Sequence, residues 1–142
     1  MEHRIVEIET TIAANIAEVW DALTGEGAIV MPMTKVETDW NSGHPIVFSG
    51  VWNGKPFEDH GEIVSVLEGK TVSFTHWSGN GSRPDDYHLV TYSLSRLGDS
   101  TRVTLVQSNI GPKPEPSEET KAEFSKTFRL MLNELKQASE AR

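Results

Sequence analysis

The chain contains no cysteine. That absence excludes a disulfide framework, a thiolate zinc site and a cysteine nucleophile. It has no run of ~18 apolar residues, so no segment is built to cross a membrane as a helix. Basic residues are scarce: 13 Lys and Arg stand against 21 Asp and Glu, a formal net charge of −8. Affinity for nucleic acid rests largely on basic patches, and Lys and Arg cluster nowhere along the chain, so no such partner is expected. The opening Met1-Glu2-His3-Arg4 leads straight into a strand-like pattern without the apolar stretch of a signal peptide. A soluble, cytoplasmic protein is the expectation. The five histidines, His3, His44, His60, His76 and His88, form neither an HxxxH nor an HExxH pattern, so no metal is expected. There is no G-x-S-x-G turn, no P-loop and no dinucleotide fingerprint. No cofactor is expected, and no motif demands an enzyme.

What is present is enough chain for a sizeable core. The 142 residues, 37% hydrophobic and 24% charged, fit one soluble domain over residues 1–142. Residues 3–12 alternate, with Val6, Ile8, Thr10 and Ile12 on one face. Asn15 and Glu18 have capping-box spacing ahead of Ile16, Val19, Trp20 and Leu23, and Gly25 is placed to end that helix. A second short helix is predicted from Glu26 to Met31, stopped near Pro32. From Lys35 to Ser108 the pattern is strands and turns. Val36, Thr38 and Trp40 are in phase; so are Ile46, Phe48, Gly50 and Trp52; so are Val72, Phe74 and His76. Val90, Tyr92 and Leu94 follow, then Val103, Leu105 and Gln107. Asn53-Gly54 is a strong hairpin turn, and Gly98-Asp99 another. The strand from Phe57 to Leu67 has no single phase, because Ile63 and Leu67 oppose Val64 and Val66. Asn80-Gly81-Ser82 lies in a polar loop.

The longest helical pattern runs from Ser117 to Ala141. Phe124, Phe128, Met131, Leu135 and Ala138 recur at steps of four and three, and Leu132 widens the stripe. Pro112, Pro114 and Pro116 block an earlier start, Ser117 can cap, and Glu118 and Glu119 suit the positive end of the helix. A helix about 35 Å long with so wide a stripe needs a large partner surface. The preceding strands can supply it. The predicted fold is α+β: a curved antiparallel sheet of six to seven strands gripping the C-terminal helix, with two short helices after the first strand.

Several stretches resemble a known family. Asn15-Ile16-Ala17-Glu18-Val19-Trp20-Asp21-Ala22-Leu23-Thr24 resembles a first-helix signature. Gly61-Glu62-Ile63-Val64-Ser65-Val66 and Thr71-Val72-Ser73-Phe74-Thr75-His76-Trp77 resemble two central strands. Ser100-Thr101-Arg102-Val103-Thr104-Leu105 and Leu135-Lys136 resemble the closing elements. Together they resemble the START-like (SRPBCC, helix-grip) superfamily, and within it the bacterial relatives of the activator of the heat-shock-ninety ATPase. The chain departs from those relatives at Gln107, where many carry histidine, at Ser65, where glutamate is common, and at Phe124 and Phe128, where many carry tryptophan. The resemblance implies an apolar pocket between sheet and helix. Superfamily members bind lipids, hormones and polyketides, and the chaperone-activating relatives bind a protein.

The aromatic residues fit such a pocket. Trp40, Phe48, Trp52, Phe74, Phe124 and Phe128, with Met131, are the expected lining. His76, Tyr92 and Gln107 are in phase with apolar neighbours and are the expected polar handles. A filled core with Tyr92 and Gln107 bonded internally is the alternative reading of the same positions. His60, His76 and His88 fall on three successive strands. Asp39, Glu58, Asp59 and Glu62 are the strand carboxylates, most of them expected to face solvent. The expected function is binding of a hydrophobic small molecule. One alternative is a co-chaperone module that docks a chaperone through acids such as Glu7, Glu9, Glu37 and Asp39. The other is a cyclase- or hydrolase-like enzyme using His76 in the same pocket.

Overall fold

A computed structural model describes residues 2–30, 34–79 and 81–141. The elements in chain order are β1 (Glu2–Ile12), α1 (Ile16–Thr24), β2 (Lys35–Glu37), β3 (Pro45–Trp52), β4 (Lys55–Leu67), β5 (Thr71–Ser78), β6 (Tyr87–Leu97), β7 (Ser100–Ile110) and α2 (Glu118–Glu140). The strands form one antiparallel sheet in the order β1-β7-β6-β5-β4-β3-β2. Successive strands from β2 to β7 are neighbours. β1 closes the far side against β7, pairing Ile8 with Leu105. The predicted α+β grip is therefore the observed fold.

The helix starts follow their sequence signals. The Asn15 side chain accepts from the Glu18 N–H at 2.9 Å, and the Glu18 carboxylate reaches back to the Asn15 N–H. Ser117 accepts from the Thr120 N–H at 3.2 Å. Each bond satisfies a backbone donor that the first helical turn leaves open. The second short helix predicted from Glu26 to Met31 does not form as far as Val30. Gly27 takes a left-handed conformation there, with φ 73°. The chain folds back so that the Ile29 N–H donates to Ala22 O at 3.0 Å. Met31 and Pro32 lie outside the described residues, as does Asn80. Gly25 does end α1, but with extended backbone rather than the left-handed form expected of it.

A bulge resolves the unphased strand. Ile63 pairs with Phe74 and Ser65 with Ser73, so Val64 is the extra residue of β4. Ile63 and Val66 both reach the core, while Val64 and Leu67 are exposed. At the β3–β4 turn, Asn53 and Gly54 both have positive φ, 51° and 76°, the pairing that two-residue hairpins favour.

The core lies between sheet and α2. Val6 and Ile8 from one end of the sheet and Ile46 and Phe48 from the other join Phe128, Met131, Leu132 and Leu135 in a single cluster. Strands from opposite ends can share one cluster only if the sheet curls around the helix. Each such side chain stabilises the fold by about 1.5–3 kcal/mol on burial. The far end of α2 is tied down by polar bonds. Glu140 accepts from the Ala13 N–H at 2.8 Å and pairs with Lys136, which donates to Thr11 O at 3.1 Å.

Gly61 marks the closest approach of β4 and β5. A Cβ there would stand 1.8 Å from the Thr75 carbonyl oxygen. Gly61→Ala forces two central strands apart and is expected to cost about 2–3 kcal/mol. A urea denaturation curve of the variant checks this, and an unchanged midpoint would contradict the geometry.

Candidate functional site

The interior of the grip is filled. Phe48, Phe74, Tyr92, Phe128 and Met131, all expected to line a pocket there, are buried against one another and the rest of the core. The Phe48 and Phe74 rings meet at 5.5 Å. Tyr92 donates its hydroxyl to Val30 O at 2.9 Å, and burial pushes that hydroxyl far above its ordinary pKa of 10.0. A cleft of about 570 Å³ opens where β5, β6 and β7 meet the 84–87 and 111–114 segments. His76, His88, Tyr87, Asn109, Lys113 and Pro114 are among the residues that line it.

Strand register assembles the polar wall of this cleft. His76 on β5 lies opposite His88 on β6, and His88 lies opposite Asn109 on β7. Cross-strand partners share a face, so all three point to the concave side. The two imidazoles stack at 5.7 Å with 19° between their planes. His76 Nε2 is 2.9 Å from Asp59 Oδ2 on β4. His88 Nδ1 is 2.8 Å from Asn109 Oδ1 and 2.9 Å from Gln107 Nε2. Behind the wall, Phe48 packs edge-on to His76 at 5.3 Å. Phe124, half-buried on the first turns of α2, packs edge-on to His88 at 5.9 Å. A line of hydrogen bonds and ring contacts thus runs from Asp59 to Asn109 across four strands.

Of the expected site residues, the structure brings His76, Gln107 and Phe124 to this end. It leaves Phe48 between the core and the cleft, and Phe74, Tyr92, Phe128 and Met131 in the packed core. Trp52 is not with them. It sits at the β3–β4 hairpin tip and is 67% exposed, because the alternation that should turn it inward runs past the end of the core. Trp40 reaches the core from a loop, not a strand. β2 ends at Glu37, and Trp40 has a φ of 61°. His60 pairs with Trp77 on the other face of the sheet, so only His76 and His88 of the three strand histidines converge. His3 and His44 are elsewhere, beside Glu115 and Asp39.

Asp59 and Asn109 were the residues that strand phase alone missed. Asp59 is one of four strand carboxylates of which most are expected to face solvent; its side chain is 20% exposed and reaches His76. Hairpin counting would have found both. Counting back from Asn53-Gly54 pairs Asp59 with the core residue Phe48, and counting out from Gly98-Asp99 pairs Asn109 with His88.

Tyr92→Phe removes the donor from a buried carbonyl and is expected to cost about 1–2 kcal/mol in denaturant unfolding. The His88 pKa lies below its ordinary 6.5, chiefly because burial disfavours the charged ring; nearby His76 and Lys113 add to this, and the Asn109 hydrogen bond opposes it. The unfolded chain then takes up this proton at a higher pH than the folded one. The stability that neutral His88 supplies is complete above pH 6.5 and is lost as pH falls from there through the folded value. Thermal unfolding across that window should show the fall, and His88→Gln should reduce it.

Comparison with known proteins fits this architecture. The family model described as "Activator of Hsp90 ATPase homolog 1-like protein" matches residues 13–140. The solution structure of ChR145 from Cytophaga hutchinsonii is similar at 31% identity, with 96% of this chain and 92% of that one covered and a TM-score of 0.73. MLL2253 from Mesorhizobium loti is similar at 22% identity, with 94% of each chain covered and a TM-score of 0.71. The crystal structure of Ara h 8.0201 shares the fold at 13% identity, with both chains fully covered and a TM-score of 0.76. A search of curated proteins found no match. With its sheet, its C-terminal helix and a family match over nearly its whole length, the chain belongs to the Activator of Hsp90 ATPase homolog 1-like family.

Proposed function

We propose that the chain binds a small, largely apolar molecule in the cleft at the open end of the grip. The observation that carries this reading is the juxtaposition of a 570 Å³ cleft with two stacked imidazoles and their amide and carboxylate partners. Small-molecule sites have this size, and they combine apolar walls with a few fixed polar groups. Tyr87, Ile110, Pro84 and Pro114 supply apolar surface, and His76, His88 and Asn109 supply direction. The resemblance to the helix-grip superfamily, with its many hydrophobic ligands, supports the same reading.

Docking of a chaperone through Glu7, Glu9, Glu37 and Asp39 has less behind it. Glu7 and Glu9 lie on β1 and Glu37 on β2, the opposite edges of the sheet. Glu7 is paired with Arg4 at 2.7 Å, Asp39 with His44 at 2.6 Å and Glu37 with Lys35 at 3.8 Å. The four acids do not make one acidic face.

An amide chemical-shift titration against aromatic metabolites, fatty acids, sterols and polyketides tests the proposal. Saturable shifts are expected at Ser78, Tyr87, His88, Asn109 and Gly111, with Leu135 in the core unmoved. Ser78→Trp, which puts a large ring into the cleft, should weaken binding by roughly tenfold or more. Shifts centred outside the cleft, or none from any class, would reject the reading.

A further inference from the structure

Each imidazole of the cleft has one nitrogen held by the protein and one left over. Among the described residues, neither His76 Nδ1 nor His88 Nε2 has a hydrogen-bond partner, and neither is sealed from solvent. The two rings are not equivalent. An ionised carboxylate only accepts, so Asp59 requires the His76 proton on Nε2. The free Nδ1 of neutral His76 is then a lone pair, and a proton added there makes an imidazolium already paired with a carboxylate. His88 has amides beside it, not a carboxylate, and burial disfavours its charged form. Two imidazolium rings 5.7 Å apart would repel each other. One proton can therefore enter the pair, and His76 is placed to take it.

The remaining charges bear on what could deliver that proton. Asp59 approaches from β4 and His88 from β6. Asp85 and Asp86 line the cleft from the loop before β6, and Lys113 from the connection to α2. α2 itself contributes the uncharged ring of Phe124. Three carboxylates against one lysine disfavour an anion unless a proton enters the cleft with it. A weak acid that is neutral in solution brings that proton itself.

Resting on the proposed cleft-binding function, we infer that the ligand is an aromatic compound with an acidic hydroxyl, a phenol or an enol, which gives its proton to His76. The O–H bond of the ligand breaks and an N–H bond forms at His76 Nδ1. The electron pair stays on the ligand oxygen, and the imidazolium lies between that oxygen and the Asp59 carboxylate. Nothing is oxidised or reduced, and no further reactant is needed. The Tyr87 ring and the two prolines in the cleft wall, Pro84 and Pro114, suit a flat ligand.

The test compares 4-nitrophenol with 4-nitroanisole, which has nearly the same shape and no acidic proton. The intact protein is titrated with each at a pH below the phenol's own pKa. The phenolate absorption band is expected to grow saturably with 4-nitrophenol, together with amide shifts around the cleft. 4-Nitroanisole should bind roughly tenfold more weakly. His76→Gln and Asp59→Asn should each remove most of the phenolate band. His44→Gln, which alters an exposed histidine–carboxylate pair remote from the cleft, should leave it intact. A phenol that occupies the cleft but stays protonated, or a band that survives His76→Gln, overturns the inference while the cleft-binding function stands. Failure of both compounds to bind overturns the inference, and the cleft-binding function then falls only if the wider ligand titration is also blank. The comparison of the two compounds on the unaltered chain decides the matter even if a variant fails to fold.

Discussion

The structure depends on one contact above all, the burial of Phe128, Met131, Leu132 and Leu135 in the concavity of the sheet. Without the helix, the inward faces of β1 and of β3 to β7 would stand in water. Without the curl of the sheet, the helix would bury only one narrow line of residues. The contact is tight enough to fill the space that a ligand would otherwise occupy. A packed interior at native density leaves no room to bind by small adjustment. At the end of the grip, where the helix begins, the stripe gives way to Phe124.

At that end the chain changes character along the same strands. The inward face of β6 runs Leu94, Tyr92, Val90, then His88; that of β5 runs Val72, Phe74, then His76; that of β7 runs Val103, Leu105, Gln107, then Asn109. Each strand is apolar in the core and polar at its last inward positions. Hydrogen bonds between neighbouring strands then satisfy the buried groups, as low-dielectric surroundings require. Gln107 belongs to this polar layer, and its amide touches the His88 ring of the neighbouring strand.

Much of the fold was legible because it rests on local chemistry. Asn15, Ser117 and the Phe124-to-Ala138 stripe mark helices through caps and spacing. Asn53-Gly54 marks a hairpin through backbone conformation. What stayed hidden was set by contacts remote in sequence. The bulge at Val64 mixes two phases in one strand, and periodicity cannot read through it. The segment after Gly25 has helical spacing, yet it folds back onto Ala22 instead. The site was less legible than the fold. His76 and Gln107 could be picked by phase, but Asp59 and Asn109 required strand register. That the interior is full depends on how the side chains interlock, which spacing does not encode.

The pairing of β1 with β7 has a consequence for how the chain is made. Glu2 lies against Ile110 and Ile12 against Thr101, so the first strand synthesised must wait for the last one. α2, which holds the end of β1 through Glu140 and Lys136, comes later still. The meander from β3 to β7 can zip through short turns as it leaves the ribosome, because its closures span few residues. β1 meanwhile is an unpaired strand with one apolar face, tethered to a growing sheet whose β7 edge is still missing. Non-local pairing of this kind slows folding and exposes the chain to association while it lasts. The charges on the other face of β1, Glu7 and Glu9, would oppose edge-to-edge association in that interval.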